Sequence, residues 1–214
     1  EAGKWAYGYN AFRIDITPFI QFGKSNLIEV HLNNVEESSR WYPGGGLYRP
    51  VSVELYGNEN FSTWDTFVRT LKADKQEAEV EVNALLEGKT GKSGKTVIAL
   101  LDEAGKKVAE QTIPGATPAV KTTLKVANPQ LWSPESPYLY QVKLTRYEGK
   151  KVADVQTLKT GIRTISVSKE YGFQLNGVTR KLKGVCLHHD LGPLGAAENK
   201  AALIRQIKMM KQMG

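Results

Sequence analysis

The sequence predicts a mainly β chain that ends in a single β/α unit. Three observations carry this. Apolar residues alternate with period two between Tyr7 and Gly57. About seven further strand-like runs lie between Phe61 and Val167, separated by turn signals at the 8- to 12-residue spacing of a sandwich. A short apolar run then leads into His188, His189 and Asp190, and residues apolar at helical spacing follow.

In the first region residues 12–16, 26–32 and 51–55 each alternate apolar and polar side chains. Period-two alternation gives a strand one buried face, so each needs a partner layer. About three strands are too few for a sandwich. The region is therefore expected to be part of a larger one. Between the last two strands lies a loop rich in Gly and aromatics, residues 38–50.

The second region offers strands at 63–73, 77–86, 96–102, 107–113, 119–126, 138–147 and 152–165. Gly88 with Gly91 and Gly94, Ala104-Gly105, Pro114-Gly115 and Glu148-Gly149 separate them. This pattern predicts an immunoglobulin-like β-sandwich, although the Cys…Trp…Cys mark of antibody domains is absent.

Beyond Val167, residues 173–175 and 182–187 flank Asn176-Gly177, a strong hairpin signal. Leu203, Ile204, Ile207, Met210 and Met213 recur at helical spacing, and Gly214 is placed to cap that helix. A strand that ends in titratable residues and feeds a helix is the opening unit of an α/β architecture. Such folds place ligand sites at those strand ends.

Composition narrows the function classes. The net charge is +7, but the lysines are scattered through turns and alternating strand positions, which argues against nucleic acid. No window approaches the ~18 apolar residues of a membrane span. The single cysteine, Cys186, excludes an intrachain disulfide. Its place in an apolar run predicts a buried, inert thiol. No signal peptide is visible after Glu1, and the chain is expected to be a piece of a longer protein.

Several motifs fail on their chemistry. GKTGKSGKT at 88–96 lacks the glycine that a P-loop needs five residues before its Gly-Lys-Thr, and it leads into a strand, not a helix. It reads as a hairpin loop. His188 and His189 are adjacent on a strand and point to opposite faces, so they make a weak metal pair. No metal site is predicted and no cofactor motif is evident. No nucleophile accompanies them for a triad. They read as polar residues closing a strand, bonded to a ligand or to neighbours. His31, mid-strand, reads as a surface or interlayer residue. The loop 39–49 carries two open readings. Trp41 and Tyr42 pack in a core beside a tight bend, or Arg40 and Trp41 reach a pocket and meet a sugar. Aromatic faces suit pyranose C–H faces, and arginine supplies donors for hydroxyls.

Four segments in order resemble glycoside hydrolase family 2, the β-galactosidase, β-glucuronidase and β-mannosidase family. GYNAFRIDIT at 8–17 looks like late strands of the family's jelly-roll sugar-binding domain. SRWYPGGGLYRPV at 39–51 is similar to its Ser-Arg-Trp-Tyr-Pro-Gly…Tyr-Arg signature. NPQLWSPESPYLY at 128–140, with GIRTI at 161–165, resembles the end of its immunoglobulin-like domain. Residues 173–190 and the helix from Glu198 look like the start of its (β/α)8 barrel.

The resemblance implies a partial jelly-roll sandwich at 1–60, an immunoglobulin-like β-sandwich at 61–167 and a truncated barrel start at 168–214. It implies a retaining glycosidase, most closely a β-galactosidase, using two Glu side chains about 5 to 5.5 Å apart. Neither Glu belongs to the first β/α unit, so this chain alone is expected to be inactive. His188 matches a histidine that contacts the sugar in the −1 subsite, and His189 and Asp190 match its polar neighbours. Arg40 and Trp41 are further substrate contacts. Ser39 stands where some β-galactosidases carry a sugar-contacting aspartate. The implied partner is a β-galactoside-like carbohydrate. The export common among polysaccharide-degrading members points to a periplasmic or extracellular longer protein. A carbohydrate-binding module without catalysis is the competing reading, and a half-finished site argues against it. The helix stripe of Leu203, Ile204, Ile207 and Met210 has no barrel strands to cover it. The tail is thus expected to be disordered, docked on the sandwich, or paired with a second copy.

Overall fold

The computed structural model describes residues 1–37, 45–88, 94–115, 117–187 and 191–214. Its contacts divide the chain into two compact units. One is Ser52–Cys186, and the other joins Glu1–Val51 to Leu187–Gly214.

The first unit is a β-sandwich. Its strands are β1 (Glu59–Phe61), β2 (Phe67–Ala73), β3 (Glu77–Gly88), β4 (Gly94–Leu101), β5 (Lys107–Pro114), β6 (Ala119–Ala127), β7 (Tyr140–Glu148) and β8 (Lys151–Thr160). One sheet has β3 at its centre, paired with β2, β6 and, at its end, β1. The other runs β5-β4-β7-β8, and every pairing is antiparallel. Alternate residues face inward. Val80, Val82 and Ala84 of β3 and Leu124 of β6 meet Ile98 and Leu100 of β4 and Val142 and Leu144 of β7. The period-two reading of this region thus matches the observed core.

Three strands were not expected from the sequence. Residues 152–165 do not form one strand, because β8 ends at Thr160 and β9 (Ile165–Ser168) starts a separate small sheet with β10 (Gly172–Leu175) and β11 (Val178–Thr179). The Asn176-Gly177 turn closes β10 on β11 with Leu175 opposite Val178. Both turn residues have positive φ, 52° and 76°, the backbone that a two-residue hairpin turn matched to strand twist requires. β11 is the second, because the strand expected after this turn at 182–187 forms instead at Val178–Thr179, and β1 is the third.

The outer face of the β3 sheet carries a charge cluster. Glu81 accepts hydrogen bonds from Asn83 Nδ2 at 2.9 Å and Arg69 Nε at 2.8 Å, and lies 3.2 Å from Lys121 Nζ. These groups, Asn83 foremost, hold its carboxyl at about 2, against an ordinary 4.5. A carboxyl depressed in the folded state stabilises the fold above its unfolded value, and that contribution is lost as pH falls through the window from 4.5 to about 2. Glu81→Gln is therefore expected to lower stability at neutral pH and to flatten the acid limb across that window. Urea midpoints measured at intervals between about pH 6 and pH 2 check this. An unchanged slope would refute it.

In the second unit the expected strands at 12–16 and 26–32 join no ladder, and neither does 51–55, which spans the two units. Alternation defines a face to bury, but it supplies no partner, and isolated strands are not stable in water. Ile14 and Ile16 are half-buried, and the other apolar side chains of these segments lie exposed, with Leu27 at 85% and Leu55 at 84%. Local contacts hold this part. Trp5 stacks on Phe12 with centroids 4.2 Å apart, and Asn26 bonds Gln21 through both backbone N and O. His31 is fully at the surface, 4.0 Å from Glu29.

Residues 182–187 likewise join no sheet, so the expected first barrel strand is not formed. Cys186 is exposed, not buried, because no second strand covers the run that carries it. The helix does form, as α1 (Lys200–Gln212). Asn199 caps it by accepting the Ala202 N–H at 3.0 Å, which starts the helix two residues after Glu198. Gly214, at φ 85°, ends it in the left-handed form expected of a capping glycine. The tail is thus an ordered helix whose Ile204 and Ile207 remain exposed.

Candidate functional site

The five residues predicted to meet substrate, Arg40, Trp41, His188, His189 and Asp190, lie outside the described residues, as does the loop 89–93. Their flanking residues are described. Tyr48 and Arg49, from the aromatic loop, and Leu187 and Leu191, on either side of the His-His-Asp segment, line one cleft of about 360 Å³. Ala196, Ala197, Glu198, Leu203 and Gln206 line it as well.

The cleft is assembled within the second unit by one local turn and by contacts between segments distant in sequence. A 3₁₀ turn at Gly192–Leu194 is closed by Gly195 N donating to Gly192 O and Leu191 N donating to Gly195 O, each at 2.9 Å. That turn brings the chain to α1. Glu198 N donates to Tyr48 O at 2.8 Å, which fastens the start of the helix to the aromatic loop. Arg49 spans three segments. Its Nη1 donates to Tyr9 O at 3.2 Å, its Nε lies 3.8 Å from Glu198, and its guanidinium sits 5.1 Å over the Tyr48 ring. Tyr9 meets Tyr48 edge to face at 6.2 Å.

The described lining combines leucines and alanines with a guanidinium, a carboxylate and an amide. Among the described residues, the buried Oε1 of Gln206 has no hydrogen-bond partner. An apolar face with a few polar groups at its rim suits a ligand with C–H faces and hydroxyls. Double displacement needs two carboxylates about 5 to 5.5 Å apart. Glu198 is the one carboxylate among the described lining residues, and Arg49 already pairs with it.

Sequence reasoning missed Tyr48, Arg49, Glu198 and Gln206 as lining residues. The first two sit inside the quoted loop motif, so the signal was present. Gln206 follows Leu203 by three residues, one helical turn, which places both on one face of α1. No helix among the described residues is long and apolar enough to cross a membrane.

The family model for glycosyl hydrolases family 2 matches residues 61–163, which is the sandwich. A β-galactosidase of Bacteroides ovatus is 37% identical over 216 residues and aligns with 97% of this chain. The chain belongs to glycosyl hydrolase family 2. A β-glucuronidase of Formosa agariphila is 30% identical over 205 residues, covering 83% of the chain. The crystal structure of a family 2 member from Bacteroides cellulosilyticus superposes with a TM-score of 0.83 at 37% identity over 97% of the chain. The β-glucuronidase of Ruminococcus gnavus gives a TM-score of 0.62 at 27% identity over 72% of it.

The family 2 chain spans about a quarter of these relatives, 25% and 21% of the two curated proteins and 30% and 24% of the two solved chains. The family model stops at residue 163, so it matches the sandwich and none of the residues that line the cleft.

Proposed function

We propose that this chain is part of a longer retaining glycoside hydrolase that cleaves terminal β-linked sugars, most closely a β-galactosidase. The observation that carries the reading is the cleft. It gathers the flanks of both segments predicted to touch sugar, and its mixture of apolar and polar lining residues has the character of a pyranose site. His188 is the leading contact in the −1 subsite, with His189 and Asp190 beside it and Arg40 and Trp41 reaching in from the aromatic loop. The two catalytic Glu residues lie elsewhere in the longer protein. In this layout residues 1–60 belong to a jelly-roll domain, 61–167 to an immunoglobulin-like domain and 168–214 to the start of a (β/α)8 barrel.

A second reading, β-glucuronidase specificity, is favoured by the relatives that carry that name. Arg49 is the cationic lining residue that a sugar carboxylate would draw on, but its pairing with Glu198 favours a neutral sugar.

The test is turnover of nitrophenyl β-galactoside, β-glucuronide and β-mannoside by the longer protein. The β-galactoside is expected to give the highest kcat/KM, and the 214-residue chain is expected to turn over none. A glucuronide preference would replace the sugar assignment. A longer protein inert on all three would sink the enzyme and favour a binding module.

A further inference from the structure

Arg49 and Glu198 are the two charged groups among the described residues of the cleft, and their charges cancel. Their geometry is not that of a hydrogen-bonded pair. Arg49 Nε lies 3.8 Å from Glu198 Oε2, beyond the ~3.2 Å of an ordinary N–H···O bond. Glu198 therefore offsets the charge of the guanidinium without taking its donors. A guanidinium carries five N–H donors. Among the described residues, Arg49 uses one of them, from Nη1 to Tyr9 O at 3.2 Å.

Each partner is held by contacts that do not depend on their mutual attraction. Glu198 N donates to Tyr48 O at 2.8 Å, and the residue stands directly before Asn199, the cap of α1. The positive end of a helix favours a carboxylate at that place. Arg49 is held by Tyr9 O and by the ring of Tyr48, 5.1 Å from its guanidinium. All four residues belong to one compact unit.

A neutral sugar and a uronate ask different things of such a guanidinium. Hydroxyls need donors and gain little from net charge. A carboxylate is drawn by the charge itself, and a guanidinium grips it as a fork. The cleft keeps donors and cancels charge, which suits hydroxyls. We propose that Glu198 is a specificity-determining residue, setting the cleft for a neutral sugar against a uronate by offsetting the charge of Arg49. This rests on the reading of the cleft as a sugar site. Glu198 acts on the substrate through the field at Arg49 and needs no contact with it. The pair is half-exposed, so the effect has the size of a screened surface pair, about fivefold.

Two measurements test this. Glu198→Gln keeps the shape of the side chain and the backbone bond to Tyr48, and removes the charge. In the longer protein it is expected to raise the ratio of kcat/KM on nitrophenyl β-glucuronide to that on nitrophenyl β-galactoside about fivefold. The gain comes from a lower KM on the glucuronide, and it shrinks when ionic strength rises from about 0.05 to about 0.5 M. Glu198→Asp keeps the charge and leaves the ratio within about twofold of the unaltered protein. A ratio unmoved by Glu198→Gln overturns the proposal. So does an equal change from Glu198→Asp, or an equal loss on both glycosides, since either marks a structural role.

The second measurement does not depend on turnover. In the 214-residue chain the Arg49 Nε–H signal in a ¹H–¹⁵N spectrum is titrated with D-glucuronate and with D-galactose. Glu198→Gln is expected to lower the glucuronate midpoint about fivefold and to leave the galactose midpoint in place. Equal glucuronate midpoints in the two chains overturn the proposal. A longer protein inert on both glycosides sinks the enzyme reading instead, and the glucuronate midpoints then decide the role of Glu198 alone.

Discussion

Replacing Arg146 with leucine is expected to destabilise the sandwich by about 3–5 kcal/mol, because it strands a buried carboxylate. Arg146 is 1% exposed and its partner Glu59 is 4% exposed. The pair is bidentate, with Nε to Oε2 at 2.9 Å and Nη2 to Oε1 at 3.0 Å. Nη1 donates further to Gly115 O at 2.8 Å and lies 3.4 Å from Thr96 Oγ1. One guanidinium therefore joins β1, β4 and the β5–β6 turn from its seat on β7. Desolvating two ions costs several kcal/mol each, and only near-ideal geometry offsets it. Removing both charges in Arg146→Met with Glu59→Met should accordingly recover part of the loss, leaving the deficit of the donors withdrawn from Gly115 and Thr96. Urea unfolding of the two variants and the unaltered chain measures this. A double variant no more stable than Arg146→Leu would contradict the account, as would a single variant costing under about 1 kcal/mol.

The same pair explains one place where the sequence was hard to read. Residues 57–63 run Gly-Asn-Glu-Asn-Phe-Ser-Thr, which by composition is a polar turn. In the structure Glu59, Asn60 and Phe61 are strand β1 and all three are buried. The ordinary rule puts a glutamate outside. What overrides it is an arginine 87 positions later, and no local pattern announces a partner at that distance. Strands β2 to β8 were legible for the opposite reason. Their alternation and their Gly- and Pro-marked turns are local signals, and the cross-strand partners each needed lie in the same unit.

The flanking regions show what alternation omits. Residues 26–32 alternate as cleanly as β6 does, yet they join no ladder and their apolar side chains are exposed. Periodicity specifies a face to bury and says nothing about whether a partner layer exists to receive it. Cys186 follows the same logic, since an apolar run predicted a buried thiol and the uncovered run exposes it. For the cleft, the motif residues of the aromatic loop were readable as chemistry. Their meeting with Leu203 and Gln206 of α1 depends on the turn at 191–195, which Gly192, Pro193 and Gly195 announce, and on one backbone hydrogen bond from Glu198 to Tyr48, which has no sequence signature.

Phe61→Ala is expected to cost about 3–5 kcal/mol, the range for a buried phenylalanine truncated in a core. Phe61 is 1% exposed and belongs to the core of Val80, Val82, Leu100 and Leu144. Its backbone N donates to Asp154 Oδ2 at 2.8 Å, so β1 is tied to β8 at the residue that fills the core. Truncation removes the ring and leaves a cavity that β1, three residues long, is held too firmly to collapse into. Phe67 provides the comparison within the same unit. It is 63% exposed, although it opens a clearly alternating strand, and Phe67→Ala is expected to cost less than about 1 kcal/mol because little apolar area leaves water there. Denaturant midpoints at constant m measure both. If Phe61→Ala proved as cheap as Phe67→Ala, at under about 1 kcal/mol, the assignment of β1 to the core would fail.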